Sequence, residues 1–169
     1  MKKGAGIILT SCINGELYAF LRKVPIINVD AKRQAWGGSY EITAVGKMLP
    51  EDSDNFTMCA LRILREETGI SFFPHKPTEI LRKRTRIEYC EMVIYKSHIP
   101  FQDMIVPMQK HHLTPINISE VEKTKSLWGD RANGKMSSYD MAFLPEDGIR
   151  MPKLYKEAVE KSFPSFAQV

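Results

Sequence analysis

The order of apolar and polar positions divides the chain into a strand-rich front, one amphipathic helix, a second strand-rich stretch and a terminal helix. Ala5 to Leu9 is an apolar run of strand length, and Asn14-Gly15 just beyond it is a strong hairpin-turn dipeptide. Leu17 to Val24 reads as the returning strand. Pro25 to Gln34 is polar and irregular and reads as a surface loop. Tyr40 to Val45, with β-branched Ile42, Thr43 and Val45, reads as a third strand. The period then changes. Phe56, Cys59, Ala60, Ile63 and Leu64 recur at helical spacing, and Asp52 to Asn55 offer N-caps and negative charge at the start. Gly69 offers a C-cap and Pro74 blocks resumption, so a helix is predicted from about Asp54 to Thr68.

Glu79 to Ile87 and Tyr89 to Ile99 read as two further strands. Phe101 to Ile118 reads as a long excursion, because Pro107 and Pro115 exclude a regular central strand. Tyr139 to Leu144 is a short last strand. Leu154, Tyr155, Ala158, Val159 and Phe163 form the apolar face of a terminal helix opened by Pro152. Strands first, one helix in the middle and one at the end predict an α/β sandwich with a mixed sheet. No repeat or linker-like tract divides the chain, so a single domain over 1–169 is expected.

Composition narrows the class. Apolar residues make up 43% and charged residues 26% of 169, the balance of a soluble globular protein and not of a disordered one. Cys12, Cys59 and Cys90 lie far apart without a CxxC pair, which argues against a zinc site or a disulfide framework and fits a reducing cytoplasm. No apolar run approaches the roughly 18 residues needed to cross a bilayer. Gly4 to Leu9 is too short for a secretory signal, so a cytoplasmic protein with no membrane partner is expected. A formal charge of +4 suits an anionic ligand without demanding one. No Walker loop, GxGxxG run, GxSxG elbow or HExxH is present.

The candidate chemistry lies in Arg62-Ile63-Leu64-Arg65-Glu66-Glu67-Thr68-Gly69-Ile70. On a helix Arg62 and Glu66 share a face, so the guanidinium can hold a Glu66 oxygen in place. Glu66 and Glu67 stand about 100° apart around the axis and can grip a metal ion from two directions. Hard cations such as Mg²⁺ take oxygen ligands and neutralise phosphate charge during displacement at phosphorus. Taken alone, Glu-Glu-Thr-Gly is equally a solvated helix end with an ion pair and a glycine cap. Arg62, Leu64 and Ile70, together with the Gly46-Lys47 turn after a strand, favour the chemical reading.

These residues resemble the Nudix hydrolase box, G-x5-E-x7-R-E-U-x-E-E-x-G-U with U a bulky aliphatic residue. Arg62, Leu64, Glu66, Glu67, Gly69 and Ile70 match its second half, and Gly46 to Asp52 resembles its first half with a loop about two residues longer. The resemblance implies a Nudix-like α/β/α sandwich and a Mg²⁺- or Mn²⁺-dependent hydrolase acting on a diphosphate bond in a nucleoside diphosphate linked to another moiety. It implies metal at Glu66 and Glu67 with Gly46, orientation of Glu66 by Arg62, and phosphate contact by Lys47. Two positions depart from the pattern. Ile63 stands where the family has a metal-binding or basic glutamate, and the first-half glutamate is displaced to Glu51 or Asp52, with Asp54 at the strict distance from Arg62. A carboxylate beyond the box is expected to compensate, with Glu120 or Glu122 in the plausible region and Glu120 taken as the candidate base. The alternative reading is a Nudix-fold module that binds a nucleotide or RNA end without cutting it.

Secondary features extend the candidate site. Arg82, Arg84 and Arg86 alternate, so on a strand they project from one face, either as a basic wall beside polyphosphate or RNA or as a solvated face. Arg84 is the substrate-binding candidate among them. Trp36 and Tyr40 are of the type that stacks on a nucleobase, and equally of the type found at a core rim. His111-His112 has no third ligand at a metal spacing. A homodimer is the default expectation for oligomeric state.

Overall fold

The computed structural model describes residues 2–24, 39–71, 76–84, 91–122, 125–126, 141–144 and 149–163. Strands β1 (Lys3–Ile13) and β2 (Glu16–Lys23) form the expected hairpin, with Ile13 opposite Glu16. Asn14 (φ 51°) and Gly15 (φ 82°) both take left-handed backbone, which a two-residue turn needs to follow the twist of its strands. On its other side β1 pairs in parallel with β6 (Glu91–His98), and β6 pairs antiparallel with β5 (Thr78–Lys83). These two strands fall within the stretches predicted from 79 to 99 except that β5 starts one residue earlier, at Thr78; residues 85–90 lie outside the described residues.

The predicted strand Tyr40 to Val45 is in fact two, β3 (Tyr40–Glu41) and β4 (Ala44–Lys47). β4 pairs with the first half of β1, and β3 pairs with the end of β2. The segment therefore enters a fork where β1 and β2 part. Thr43 sits at that fork, fully buried. Its hydroxyl accepts from the Leu9 amide at 2.9 Å and donates to the Phe20 carbonyl at 2.6 Å, joining two strands that no longer reach each other. A break in the strand is the cost of satisfying both backbone groups.

The expected excursion from Phe101 to Ile118 is mostly regular structure. A 3₁₀ turn (Phe101–Asp103) leads into α2 (Ile105–Lys110), where Pro107 occupies the first turn and its missing N–H has no helical acceptor to lose. Strand β7 (Leu113–Asn117) then pairs with β2, Pro115 standing opposite Phe20. Among the described residues β7 pairs with β2 alone, an edge position, which is where a sheet tolerates proline.

Helices cover both faces of this mixed sheet. α1 (Phe56–Thr68) buries Cys59, Ala60, Ile63 and Leu64 against Ala5, Ile7, Leu9, Phe20, Val93 and Tyr95. α4 (Lys153–Ser162) buries Ala158 and Val159 against Ile8, Ala19, Leu21, Met92 and Ile94. Alternate residues of β1, β2 and β6 thus feed opposite layers, as strand periodicity requires. The result is the expected α/β/α sandwich. A second antiparallel sheet, absent from the sequence reading except for its middle strand, contains β8 (Lys125–Ser126), β9 (Met141–Leu144) and β10 (Ile149–Pro152). The short α3 (Ile118–Glu122) follows β7. Among the described residues no helix is long and apolar enough to cross a membrane.

Candidate active site

Helix α1 sets the site through its ends. Asn55 caps the start, its Oδ1 accepting from the Met58 amide at 3.0 Å. Gly69 (φ 76°) caps the end, its amide donating to the Arg65 carbonyl at 2.8 Å. The glycine stops the helix one residue after Thr68 and leaves Glu66 and Glu67 in the last turn, the end at which a helix favours cations.

Arg62 ties this helix to the loop before it. Its Nε donates to Asp52 Oδ1 at 2.8 Å and its Nη2 to Asp52 Oδ2 at 2.9 Å, a two-pronged pair in which Asp52 is only 2% exposed. Nη2 also donates to the Lys47 carbonyl at 2.8 Å, and Nη1 reaches Glu66 Oε2 at 3.0 Å. Asp52 Oδ2 further accepts from the Leu49 amide at 2.8 Å, closing the 3₁₀ turn Pro50–Asp52. The guanidinium beside it holds the Asp52 carboxyl below the ordinary carboxylate range, and Asp52 in turn raises Arg62. Of the acids the sequence offers in place of the first-half glutamate, Asp52 is the one that meets Arg62, and Glu66 meets it as expected. Asp54, at the family's strict spacing, pairs with Lys3 at 2.8 Å instead. The two extra loop residues are absorbed by left-handed backbone at Ser53 (φ 53°) and Asp54 (φ 56°).

Glu67 points to a different arginine. Arg22 Nη2, from β2, lies 3.4 Å from Glu67 Oε1 and also pairs with Glu41 Oε1 of β3, its neighbour across the sheet. Burial pushes the Glu67 carboxyl up to about 7; Arg22 opposes this, Glu41 adds to it, the Val45 amide opposes it and Glu66 adds a little. Glu67 Oε2 and Arg22 Nε are both buried with no hydrogen-bond partner. Arg22 and Glu41 escaped the sequence reading. They lie 19 residues apart and meet only through strand pairing, so no local spacing announces them.

The remaining candidates are dispersed. Ile63 is 3% exposed and faces Gly46; a Cβ built on Gly46 would stand 3.0 Å from Ile63 Cδ1. Gly46 is thus held on β4 opposite Ala5 under an apolar cover. Lys47 has an exposed side chain and contributes its carbonyl to Arg62. Glu120 Oε2 accepts from the Asn117 amide at 2.9 Å, and Asn117 Oδ1 accepts from the Glu120 amide at 3.0 Å, a reciprocal cap at the start of α3. Arg84 is exposed just beyond β5, at the sheet edge opposite β2 and β3. Arg82 pairs with Glu79 and Glu91 and stacks over Phe56 at the start of α1. Tyr40 packs half-buried against the core on the α4 side, and His111 lies half-buried, its pKa lowered by burial and then by the charges of Lys110 and Arg22. Trp36, Arg86 and Cys90 lie outside the described residues.

Among the described residues no three His, Cys, Asp or Glu side chains are grouped as a complete metal cage. Mg²⁺ rarely uses one. It is bound by one or two carboxylates and completes its shell with water and substrate phosphate oxygens. Glu66 and Glu67 fit that pattern: both are hard oxygen donors on the last helical turn, and the buried Glu67 Oε2 has no partner in the protein.

The sandwich, the fork and the capped helix define a protein with the Nudix fold. Solved structures similar to this chain include a mutT/nudix family protein from Listeria innocua, at TM-score 0.56 and 17% identity over 72% of this chain and 82% of that one. Shewanella oneidensis NrtR is similar at TM-score 0.61 and 11% identity over 96% of this chain, which spans 62% of NrtR. The Ap4A hydrolase of C. elegans is similar at TM-score 0.52 and 13% identity, over 73% of this chain and 85% of that one. No protein-family model and no curated protein sequence matches the chain.

Proposed function

We propose that the chain is a Mg²⁺- or Mn²⁺-dependent hydrolase of a diphosphate bond in a nucleoside diphosphate joined to another moiety. The observation that carries this reading is the end of α1, where Glu66 and Glu67 stand together, one anchored through Arg62 to a buried aspartate and the other with an oxygen left without a partner. A bound divalent cation would supply charge neutralisation on the phosphate oxygens. The protein's own residues do the rest. Arg62 fixes the rotamer of Glu66 by holding one of its oxygens, and Asp52 fixes Arg62. Lys47, on the exposed end of β4, is the candidate phosphate contact. The proton acceptor for the attacking water is a carboxylate outside the helix. Glu41, which meets the same Arg22 as Glu67, is the candidate for that role by its place beside Glu67, whereas Glu120 caps α3. The test is turnover of a panel of nucleoside diphosphate derivatives with Mg²⁺ or Mn²⁺. Glu67→Gln is expected to lower kcat at least a hundredfold, an order of magnitude typical of losing a group that acts on the transition state; undiminished turnover sinks the assignment.

A second reading is favoured by one observation. Ile63 supplies no ligand and covers Gly46, which leaves a Nudix fold suited to holding a nucleotide or RNA end uncut. NrtR, of the same fold, is described in complex with a 27mer DNA. Calorimetric binding of a nucleoside diphosphate derivative with no turnover of it, in the presence of Mn²⁺, selects this reading over the first.

A further inference from the structure

We propose that Arg22 is a resident counter-cation of the carboxylate site, which a divalent cation has to displace from Glu67. The inference rests on the metal assignment made above for Glu66 and Glu67.

Two arginines serve this site, and they are held differently. Arg62 presents its fork to Asp52 with both bonds under 3.0 Å, and it spends its remaining donors on Glu66 and the Lys47 carbonyl. An arginine placed to hold a carboxylate structurally has this geometry. Arg22 has not. Its Nη2 contacts both Glu41 and Glu67, and the Glu67 contact is long, at 3.4 Å. The Nε of Arg22 and the second oxygen of Glu67, both buried, are left unpaired. Buried polar atoms are seldom left so, and two in one ion pair mark a contact that is not the final partnership of either group.

The elements that carry the three groups allow an exchange. Glu41 faces Arg22 across the β2–β3 register, so Arg22 keeps a counter-charge after it releases Glu67. The Arg22 side chain is 26% exposed and has solvent into which to turn. Arg22 faces two carboxylates, Glu41 and Glu67, with one positive charge to share between them. A divalent cation bound at Glu67 repels Arg22, and each binds Glu67 at the expense of the other.

The test is Mn²⁺ binding, read from the electron paramagnetic resonance signal of free Mn²⁺ with no substrate present. Arg22→Met, which keeps the aliphatic stem and removes the charge, is expected to bind Mn²⁺ about tenfold more tightly than the wild-type protein, equivalent to about 1.4 kcal/mol. Arg22→Lys is expected to stay near the wild-type value, and adding Glu67→Gln to Arg22→Met is expected to abolish the gain. A folded Arg22→Met variant with unchanged or weaker affinity, beside a wild-type protein that binds, overturns the displacement and leaves the metal assignment standing. Absence of Mn²⁺ binding in every form overturns the metal assignment and the displacement with it. A measurement on the wild-type protein needs no variant to fold: Mg²⁺ titration followed by the ¹⁵Nε resonance of Arg22 is expected to shift that signal, and no shift at saturating Mg²⁺ overturns the proposal.

Discussion

Ile63 covers Gly46, with its Cδ1 3.0 Å from where a glycine-to-alanine change would place a Cβ. The position from which a Nudix box offers a carboxylate here contributes to the core beneath α1. Ile63→Glu therefore places an ionisable group in an apolar site, and it is expected to destabilise the metal-free protein by about 2–4 kcal/mol. With Mn²⁺ present the new carboxylate gains a partner at the end of the helix. The variant's Tm is expected to rise on adding Mn²⁺ by more than the wild-type Tm does, with a gain in turnover. Equal metal-induced shifts in differential scanning fluorimetry count against a cation beside Gly46.

Asp52 and Asp54 are two residues apart and are expected to respond very differently to removal of their charge. Removing Asp52 leaves Arg62, 10% exposed, with only the exposed Glu66 as counter-charge and reopens the Leu49 turn. Asp52→Ala is expected to cost about 3 kcal/mol, as when one partner of a buried pair is removed. Asp54 is 73% exposed in its pair with Lys3, and Asp54→Asn, which keeps a residue tolerant of left-handed backbone, is expected to change stability by less than about 0.5 kcal/mol. Urea denaturation of both variants checks the contrast.

The same aspartate gives the stability curve an acid limb. Its carboxyl is lowered in the folded state, first by hydrogen bonding to Arg62. A lowered carboxyl stabilises the fold above its unfolded pKa, near 3.8, and that stabilisation is lost as pH falls towards the folded value. Asp52→Asn is expected to be less stable than the wild type at neutral pH and to change less between pH 4 and pH 2. Parallel curves for the two proteins over that range would contradict the pairing.

Thr43 is expected to be the most demanding hydroxyl of the sheet. Thr43→Val keeps the shape and removes the atom that joins the Leu9 amide to the Phe20 carbonyl, leaving two buried backbone groups unsatisfied. The expected cost is about 1–3 kcal/mol, with Thr43→Ser nearer the wild type. Faster amide hydrogen exchange at Leu9 in the valine variant is the site-specific check.

What could be seen from sequence follows the reach of each interaction. The hairpin at Asn14-Gly15 and the helix from Asn55 to Gly69 are local, each marked by turn or cap residues within a few positions, and both stand as expected. The Arg62–Glu66 pair is local too. Asp52 and Asp54 are both offered by the sequence, the family's spacing points to Asp54, and only the left-handed loop at Ser53 and Asp54 decides between them. The break at Thr43 was hidden because Ile42, Thr43 and Val45 are all good strand formers; the fork that interrupts them is made by β1 and β2. β7 was hidden because a proline is a breaker anywhere except at an edge, and its edge position is a fact of topology. Arg22 and Glu41 were hidden for the same reason. Their meeting is a product of sheet register, which hydrophobic pattern does not state.

The parallel pairing of β1 with β6 has a consequence for how the chain comes to be folded. Contacts along this pair join residues 88 positions apart, as between Thr10 and His98. At a synthesis rate of about 5–20 residues per second, the first hairpin emerges on the order of ten seconds before the strand that must lie beside it. During that interval the long edge of β1 that β6 will take is open to pairing with another chain. The hairpin is made early by a tight turn, but the sheet's centre waits for loop closure over half the molecule, so assembly is governed by long-range contacts and folds on the slow side of its size class.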